Sequence, residues 1–162
     1  MDQKPRIYIL PKVQFHAMLE GNGIDDSNVD EYVSHAFISI NDFSGADSHT
    51  PLFRDSHHNV ITLFFDDVKD ETETSSTNKG KVKAFDENMA ERIVKFLDNN
   101  RTVKNIIIHC AAGISRSGAV GTFALDYLGG DKELFKRDNP MISPNGEVLR
   151  ILHNYHRGII GC

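Results

Sequence analysis

Cysteine is scarce in this chain, which has only Cys110 and Cys162 among its 162 residues. Two cysteines this far apart make neither a disulfide framework nor the ligand set of a zinc cluster. The small disulfide-stapled secreted domains are therefore excluded. Cys162 is interpreted as a free thiol of the tail, and Cys110 as a single thiol suited to a reducing compartment.

Long apolar runs and an excess of positive charge are also lacking. No stretch approaches the ~18 apolar residues that a membrane span needs, and the first residues lack the apolar core of a signal peptide. We therefore predict a cytoplasmic protein that binds no membrane. The formal net charge of −5 argues against nucleic-acid binding, which needs clustered Lys and Arg. The length and an apolar content of 40% predict one domain over residues 1–162, expected to be a monomer.

Strand-like and helix-like segments alternate along the chain. Runs rich in β-branched and aromatic residues predict strands at 6–10, 35–40, 59–65 and 103–108. Helical spacing predicts helices at 12–21, from about 85 to 97, at 119–128 and near the end. Gly129 and Gly130 are expected to stop the third helix, and Ser143 to cap the last one with Pro144 in its first turn. The polar stretch 66–81 is predicted to be a loop.

This alternation predicts an α/β fold, with a central, mostly parallel sheet flanked by helices. In open α/β sheets, ligands collect where strands end and helices begin. The segment HCAAGISRSG, residues 109–118, lies at such a junction, after the fourth predicted strand.

The loop inside this segment has the composition of a phosphate cradle. Backbone N–H groups at the start of a helix attract an anion, and Gly113 allows a sharp turn. The guanidinium of Arg116 can grip a tetrahedral oxyanion with two parallel hydrogen bonds. The candidate phosphate-binding residues are therefore Ala111, Ala112, Gly113, Ile114, Ser115 and Arg116.

The same surroundings favour a reactive sulfur at Cys110. A thiol at a helix N-terminus beside a guanidinium loses its proton easily, and the thiolate is the nucleophile. The hydroxyl of Ser117 is placed to hydrogen-bond the sulfur and help it leave. His109 ends the strand, and we expect it to order the loop rather than to transfer protons.

These residues resemble a known signature. His109, Cys110, five further residues, Arg116 and Ser117 resemble the motif of the cysteine-dependent protein tyrosine phosphatases, and AGISRS is most similar to the dual-specificity branch. The resemblance implies hydrolysis of phosphotyrosine on proteins through a phosphocysteine, with phosphoserine and phosphothreonine as further candidates. It implies no metal and no other cofactor.

The resemblance also implies an aspartic acid, upstream and just after a strand, that protonates the leaving group. The segment FFDDVKD offers Asp66, Asp67 and Asp70. Asp67 is the first choice and Asp66 its rival, and adjacent extended residues point to opposite sides. Asn145, in a Pro-Asn pair before the last helix, resembles the residue that braces the phosphate loop, through Ser115. A plain helix-terminal turn is the alternative.

Other interpretations stay open from the sequence alone. The substrate could be a phosphoinositide or an RNA 5′ end, and a non-catalytic phosphate-binding module or a sulfur-transfer domain would use a similar loop. His49, His57 and His58 are interpreted as surface histidines rather than as a metal site. Asp42 either lines the pocket or belongs to a polar loop.

Overall fold

A single parallel sheet organises the protein. The computed structural model describes residues 3–44, 51–68 and 82–160, and within them four strands pair in the order β1–β4–β2–β3, all parallel. The strands are β1 (Arg6–Pro11), β2 (His35–Asn41), β3 (Val60–Phe64) and β4 (Asn105–Cys110). Because they are parallel, their carboxyl ends meet at one edge of the sheet. This architecture confirms the predicted fold class.

Helices connect and cover the strands. In the described ranges they are α1 (Lys12–Gly21), α2 (Glu87–Asn99), α3 (Arg116–Leu128), α4 (Lys132–Asp138) and α5 (Gly146–Ile160). The α1 prediction is confirmed at both ends. Gly129 ends α3 with a left-handed φ of 72°, as predicted. Helix α4 was not predicted, because seven residues are too few to show a helical period; the Asp131 side chain caps it.

Successive side chains along a strand point to opposite faces of the sheet, so the two faces bury different side chains. One face packs Ile38, Ile106 and Ile108 under α2, α3, α4 and α5. The other face packs Phe37 against Phe15 of α1, with the segment that follows α1. The result is a helix–sheet–helix arrangement that holds the carboxyl edge of the strands in place.

The predicted cap of the last helix is wrong. Helix α5 begins at Gly146, so Ser143 and Pro144 precede it. The Asn145 side chain accepts hydrogen bonds from the backbone N–H groups of Glu147 (3.0 Å) and Val148 (3.1 Å), which makes Asn145 the cap. Ser143 instead donates its backbone N–H to the Ile114 carbonyl, in the loop that follows β4.

The interpretation of His57 as a surface histidine is also wrong. Its side chain is only 3% exposed and lies between two carboxylates, Asp26 (2.8 Å) and Asp30 (2.9 Å). Both ring nitrogens donate only when the imidazole is protonated. Burial disfavours the charge, but the two carboxylates outweigh it and raise the pKa of His57 above its ordinary 6.5.

We predict that His57→Gln lowers the free energy of unfolding by about 1–3 kcal/mol at about pH 6. The raised pKa means that His57 stabilises the fold fully below the pKa of the unfolded chain, and this stabilisation fades as the pH rises through the folded pKa. The difference in free energy of unfolding between the wild type and the variant, measured with urea, should therefore shrink towards about pH 9. His58→Gln, at an exposed neighbour, is the control, and a deficit that grows with pH contradicts the prediction.

Candidate active site

Three strand ends bring the candidate residues together at the carboxyl edge. Strand β4 ends at Cys110, which pairs in register with Pro11 of β1. On its other side lies β2, which ends at Asn41 and leads directly into Asp42. Beyond β2, β3 leads into Phe65, Asp66 and Asp67. The strand order therefore places these segments around one loop.

That loop, residues 111–115, turns from β4 into α3. Gly113 has a φ of 69°, and a Cβ there would lie 2.4 Å from the backbone nitrogen of Pro11. Only glycine satisfies both the dihedral and the close approach. The loop is tied to α1 by a bond from the Lys12 N–H to the Ala111 carbonyl (3.2 Å).

The segment before α5 supports the loop from the opposite side. The Ser143 N–H donates to the Ile114 carbonyl and the Asn145 N–H to the Ser115 carbonyl, each at 3.0 Å. On the inner side of the loop, the backbone N–H groups of Ile114 and Ser117 are directed at the Cys110 thiol. The predicted link between Asn145 and Ser115 is thus a backbone contact.

The sulfur of Cys110 lies in this cradle, with the residue only 2% exposed. Its Sγ is 3.0 Å from the Ser117 hydroxyl. Burial opposes ionisation, but the Ser117 hydroxyl and N–H, the Arg116 charge and the Ile114 N–H outweigh it. Together they lower the pKa of Cys110 below its ordinary value, which favours the thiolate.

Arg116 opens α3 and is almost fully buried at 4% exposure. Its Nη1 donates to the carbonyl of Phe65 at 2.8 Å and forms an ion pair with the Asp42 carboxylate, also at 2.8 Å. Its Nε is buried and has no acceptor within the part of the chain that the structure describes. A buried guanidinium N–H without a partner is costly, so this edge of Arg116 is suited to a further hydrogen-bond acceptor.

His109 is a buried, neutral residue of β4. Its Nε2 is 2.6 Å from the Ser39 hydroxyl, and its Nδ1 is 3.4 Å from the Cys110 carbonyl. Burial, with the nearby charges of Lys12 and Arg116, lowers the pKa of His109 to about 4. The imidazole therefore links the sheet to the base of the loop, the ordering position that the sequence suggested.

The two adjacent aspartates face different ways. Asp67 is exposed, and its Oδ1 accepts hydrogen bonds from the Ser115 hydroxyl (3.0 Å) and the Asn145 side chain (2.8 Å). Asp66 is buried at 7% exposure. It accepts backbone bonds from Phe43 and Lys83 instead. Asp67 alone of the two therefore lies against the loop 111–115.

Two contacts at this site were not predicted. Asp42 had been open between a pocket residue and a loop residue, and the structure pairs it with Arg116. Ser39 carried no signal in the sequence, because a serine on a buried strand shows no partner until the strand order is known. Asp70, His49 and Cys162 lie outside the described residues.

Metal and membrane features were sought in the described ranges. Residues 3–44, 51–68 and 82–160 contain no group of three His, Cys, Asp or Glu side chains that could hold a metal ion. None of the helices in these ranges is long and apolar enough to cross a membrane.

Comparisons by sequence and by structure give different results. No family model matches the chain, and no curated protein sequence shows significant similarity to it. Solved structures do match. The human tyrosine phosphatase-like serine/threonine/tyrosine-interacting protein has a TM-score of 0.52 at 17% identity, covering 99% of each chain.

Two further structures agree. The PTP-2 phosphatase of Cydia pomonella has a TM-score of 0.51 at 15% identity, over 95% of this chain and 90% of that one. PTPMT1 in complex with PI(5)P has a TM-score of 0.50 at 14% identity, over 94% and 90%. The chain therefore has the fold of the cysteine-dependent tyrosine phosphatases in its dual-specificity-like form.

Proposed function

We propose that this protein is a metal-independent phosphatase that hydrolyses phosphotyrosine on proteins through a phosphocysteine. The proposal is carried by a buried sulfur of lowered pKa that lies beside the buried Nε of Arg116, for which the described residues supply no acceptor. Cys110 and Arg116 flank one loop whose Ile114 N–H is directed at the sulfur, so a phosphate held in this loop lies next to the nucleophile. The fold shared with known phosphatases is consistent with this chemistry.

In the first step the Cys110 thiolate attacks phosphorus and the bond from phosphorus to the phenolic oxygen breaks. Arg116 and the loop N–H groups stabilise the equatorial oxygens as charge spreads over them. Asp67, on the loop's rim, gives its proton to the departing oxygen. The products are the dephosphorylated tyrosine side chain of the substrate protein and a phosphocysteine.

In the second step water attacks the phosphocysteine. The Asp67 carboxylate, now ionised, takes a proton from the water, and the bond between sulfur and phosphorus breaks. The Ser117 hydroxyl, 3.0 Å from Sγ, donates to the departing thiolate. Inorganic phosphate leaves and Cys110 returns to its starting state. Cys110, Arg116, Asp67 and Ser117 are thus assigned catalytic roles.

Phosphotyrosine is favoured over more highly charged phosphates. The loop residues between Cys110 and Arg116 are all uncharged, so the loop offers no further cation to a second phosphate. A single phosphate on an uncharged ring needs no such cation. PTPMT1, which was solved with PI(5)P, makes a phosphoinositide the second candidate.

Hydrolysis of a phosphotyrosine peptide in the presence of a chelator and a thiol reductant tests the proposal. We expect turnover that vanadate inhibits, because vanadate mimics the five-coordinate transition state. Phosphoserine peptides and a phosphoinositide serve as parallel substrates. A strict metal requirement, or no turnover of any phosphomonoester, contradicts the proposal; preference for the phosphoinositide rejects the protein substrate alone.

A further inference from the structure

The turn at residues 42–44, directly after β2, contacts both sides of the candidate site. We call Asp42, Phe43 and Ser44 the brace. On one side the Asp42 carboxylate binds Nη1 of Arg116 at 2.8 Å. Since Nη1 also donates to the Phe65 carbonyl, an ion pair and a hydrogen bond hold the same corner of the guanidinium. Its Nε is buried without an acceptor among the described residues, so the brace sets the direction in which Arg116 meets phosphate.

On its other side the brace binds Asp66. The backbone N–H groups of Phe43 (3.1 Å) and Ser44 (3.0 Å) and the Ser44 hydroxyl (2.9 Å) all donate to Oδ1 of Asp66. The Lys83 N–H donates to Oδ2 at 2.8 Å. A buried carboxylate with four donors is a rigid anchor. Asp66 directly precedes Asp67, so this anchor fixes the backbone that presents the candidate acid.

We propose that the brace positions both catalytic groups, Arg116 through Asp42 and Asp67 through Asp66. The proposal rests on the proposed function and assigns Asp42 and Asp66 as positioning residues, because neither is required to touch the substrate. The two arms are separate contacts and predict separate kinetic defects. Loss of the Asp42 arm weakens phosphate binding, whereas loss of the Asp66 arm weakens proton donation.

The first arm is tested with Asp42→Asn. We expect inorganic phosphate to inhibit the variant about tenfold more weakly than the wild type, since Arg116 loses a charged partner. The ratio of kcat/KM for p-nitrophenyl phosphate to that for phenyl phosphate should stay unchanged, because the acid is untouched. Asp55→Asn, which neutralises an exposed aspartate, is the matched control and should leave both quantities at wild-type values.

The second arm is tested with Asp66→Asn. Phenyl phosphate, with its poor leaving group, depends on the acid more than p-nitrophenyl phosphate does. In Asp66→Asn we expect the ratio of kcat/KM for p-nitrophenyl phosphate to that for phenyl phosphate to rise about tenfold. Inhibition by inorganic phosphate should stay nearly unchanged. Ser44→Ala removes one of the four donors and should move the ratio in the same direction. It decides the question if Asp66→Asn does not fold, as judged by its thermal transition.

Results against the brace are distinct from results against the proposed function. A wild-type protein that hydrolyses neither aryl phosphate contradicts the proposed function itself. If the wild type is active and phosphate inhibits Asp42→Asn as strongly as it inhibits the wild type, the first arm is overturned. An unchanged ratio in both Asp66→Asn and Ser44→Ala, or an equal loss on both substrates, overturns the second, because a purely structural defect does not distinguish leaving groups.

Discussion

Replacement of Cys110 by serine is expected to reduce kcat/KM for phenyl phosphate by at least ~10⁴-fold. Against the opposing effect of burial, hydrogen bonds from Ser117 and Ile114 and the charge of Arg116 lower the pKa of the Cys110 thiol. A serine hydroxyl holds its proton far more tightly, so the same surroundings cannot supply an alkoxide near neutral pH. The expected result is therefore a nearly complete loss of chemistry, measured by phosphate release.

Binding should survive this substitution, because the phosphate cradle does not depend on the sulfur. Arg116 and the loop N–H groups are retained, so Cys110→Ser should bind a phosphotyrosine peptide with a Kd within about tenfold of the wild-type KM. The near-isosteric change should cost less than ~1 kcal/mol of stability. Cys162→Ser is the matched control and should keep full activity. Wild-type turnover by Cys110→Ser contradicts the phosphocysteine route.

Local chemistry explains why the loop could be predicted from the sequence. The steric needs of Gly113, the anion-binding N–H groups of a helix start and the thiol at a strand end all follow from residues within one short segment. The alternation of strands and helices predicted the layers in the same way. Such features need no knowledge of distant partners.

Contacts between distant segments could not be predicted in this way. The ion pair of Asp42 with Arg116 arises because β4 inserts between β1 and β2. Strand order is not encoded in any local pattern. His57 is a similar case, because its partners Asp26 and Asp30 come from the segment before β2. A polar residue shows only its own type in the sequence, whereas its role depends on which segment packs against it.

The choice between Asp66 and Asp67 as the acid depends partly on local geometry and partly on a contact between distant segments. Strand geometry predicted that Asp66 and Asp67 face opposite ways. Which of them faces the loop depended on the turn at residues 42–44, whose N–H groups take Asp66. With Asp66 occupied there, Asp67 is the carboxylate beside Ser115 and Asn145.

Asp67→Asn is accordingly expected to lower kcat/KM for phenyl phosphate by ~10²–10³-fold. An amide has no acidic proton to give, so the phenolate must leave unassisted. Both hydrogen bonds that Asp67 accepts from described side chains go to Oδ1, and an asparagine oxygen can accept the same two bonds. The variant should therefore keep its fold, and the loss should come from proton transfer alone.

Leaving-group dependence distinguishes this loss from a general defect. With p-nitrophenyl phosphate, whose phenolate leaves readily, Asp67→Asn should lose about tenfold or less. Inorganic phosphate should inhibit it as it inhibits the wild type, because Arg116 is unchanged. Asp66→Asn is the comparison. It should also lose more activity on phenyl phosphate than on p-nitrophenyl phosphate, but by a smaller factor than Asp67→Asn, because Asp66 acts on the acid only through the backbone. If Asp66→Asn lost more activity than Asp67→Asn on phenyl phosphate, the acid would be Asp66, and its four donors would have to release it during turnover.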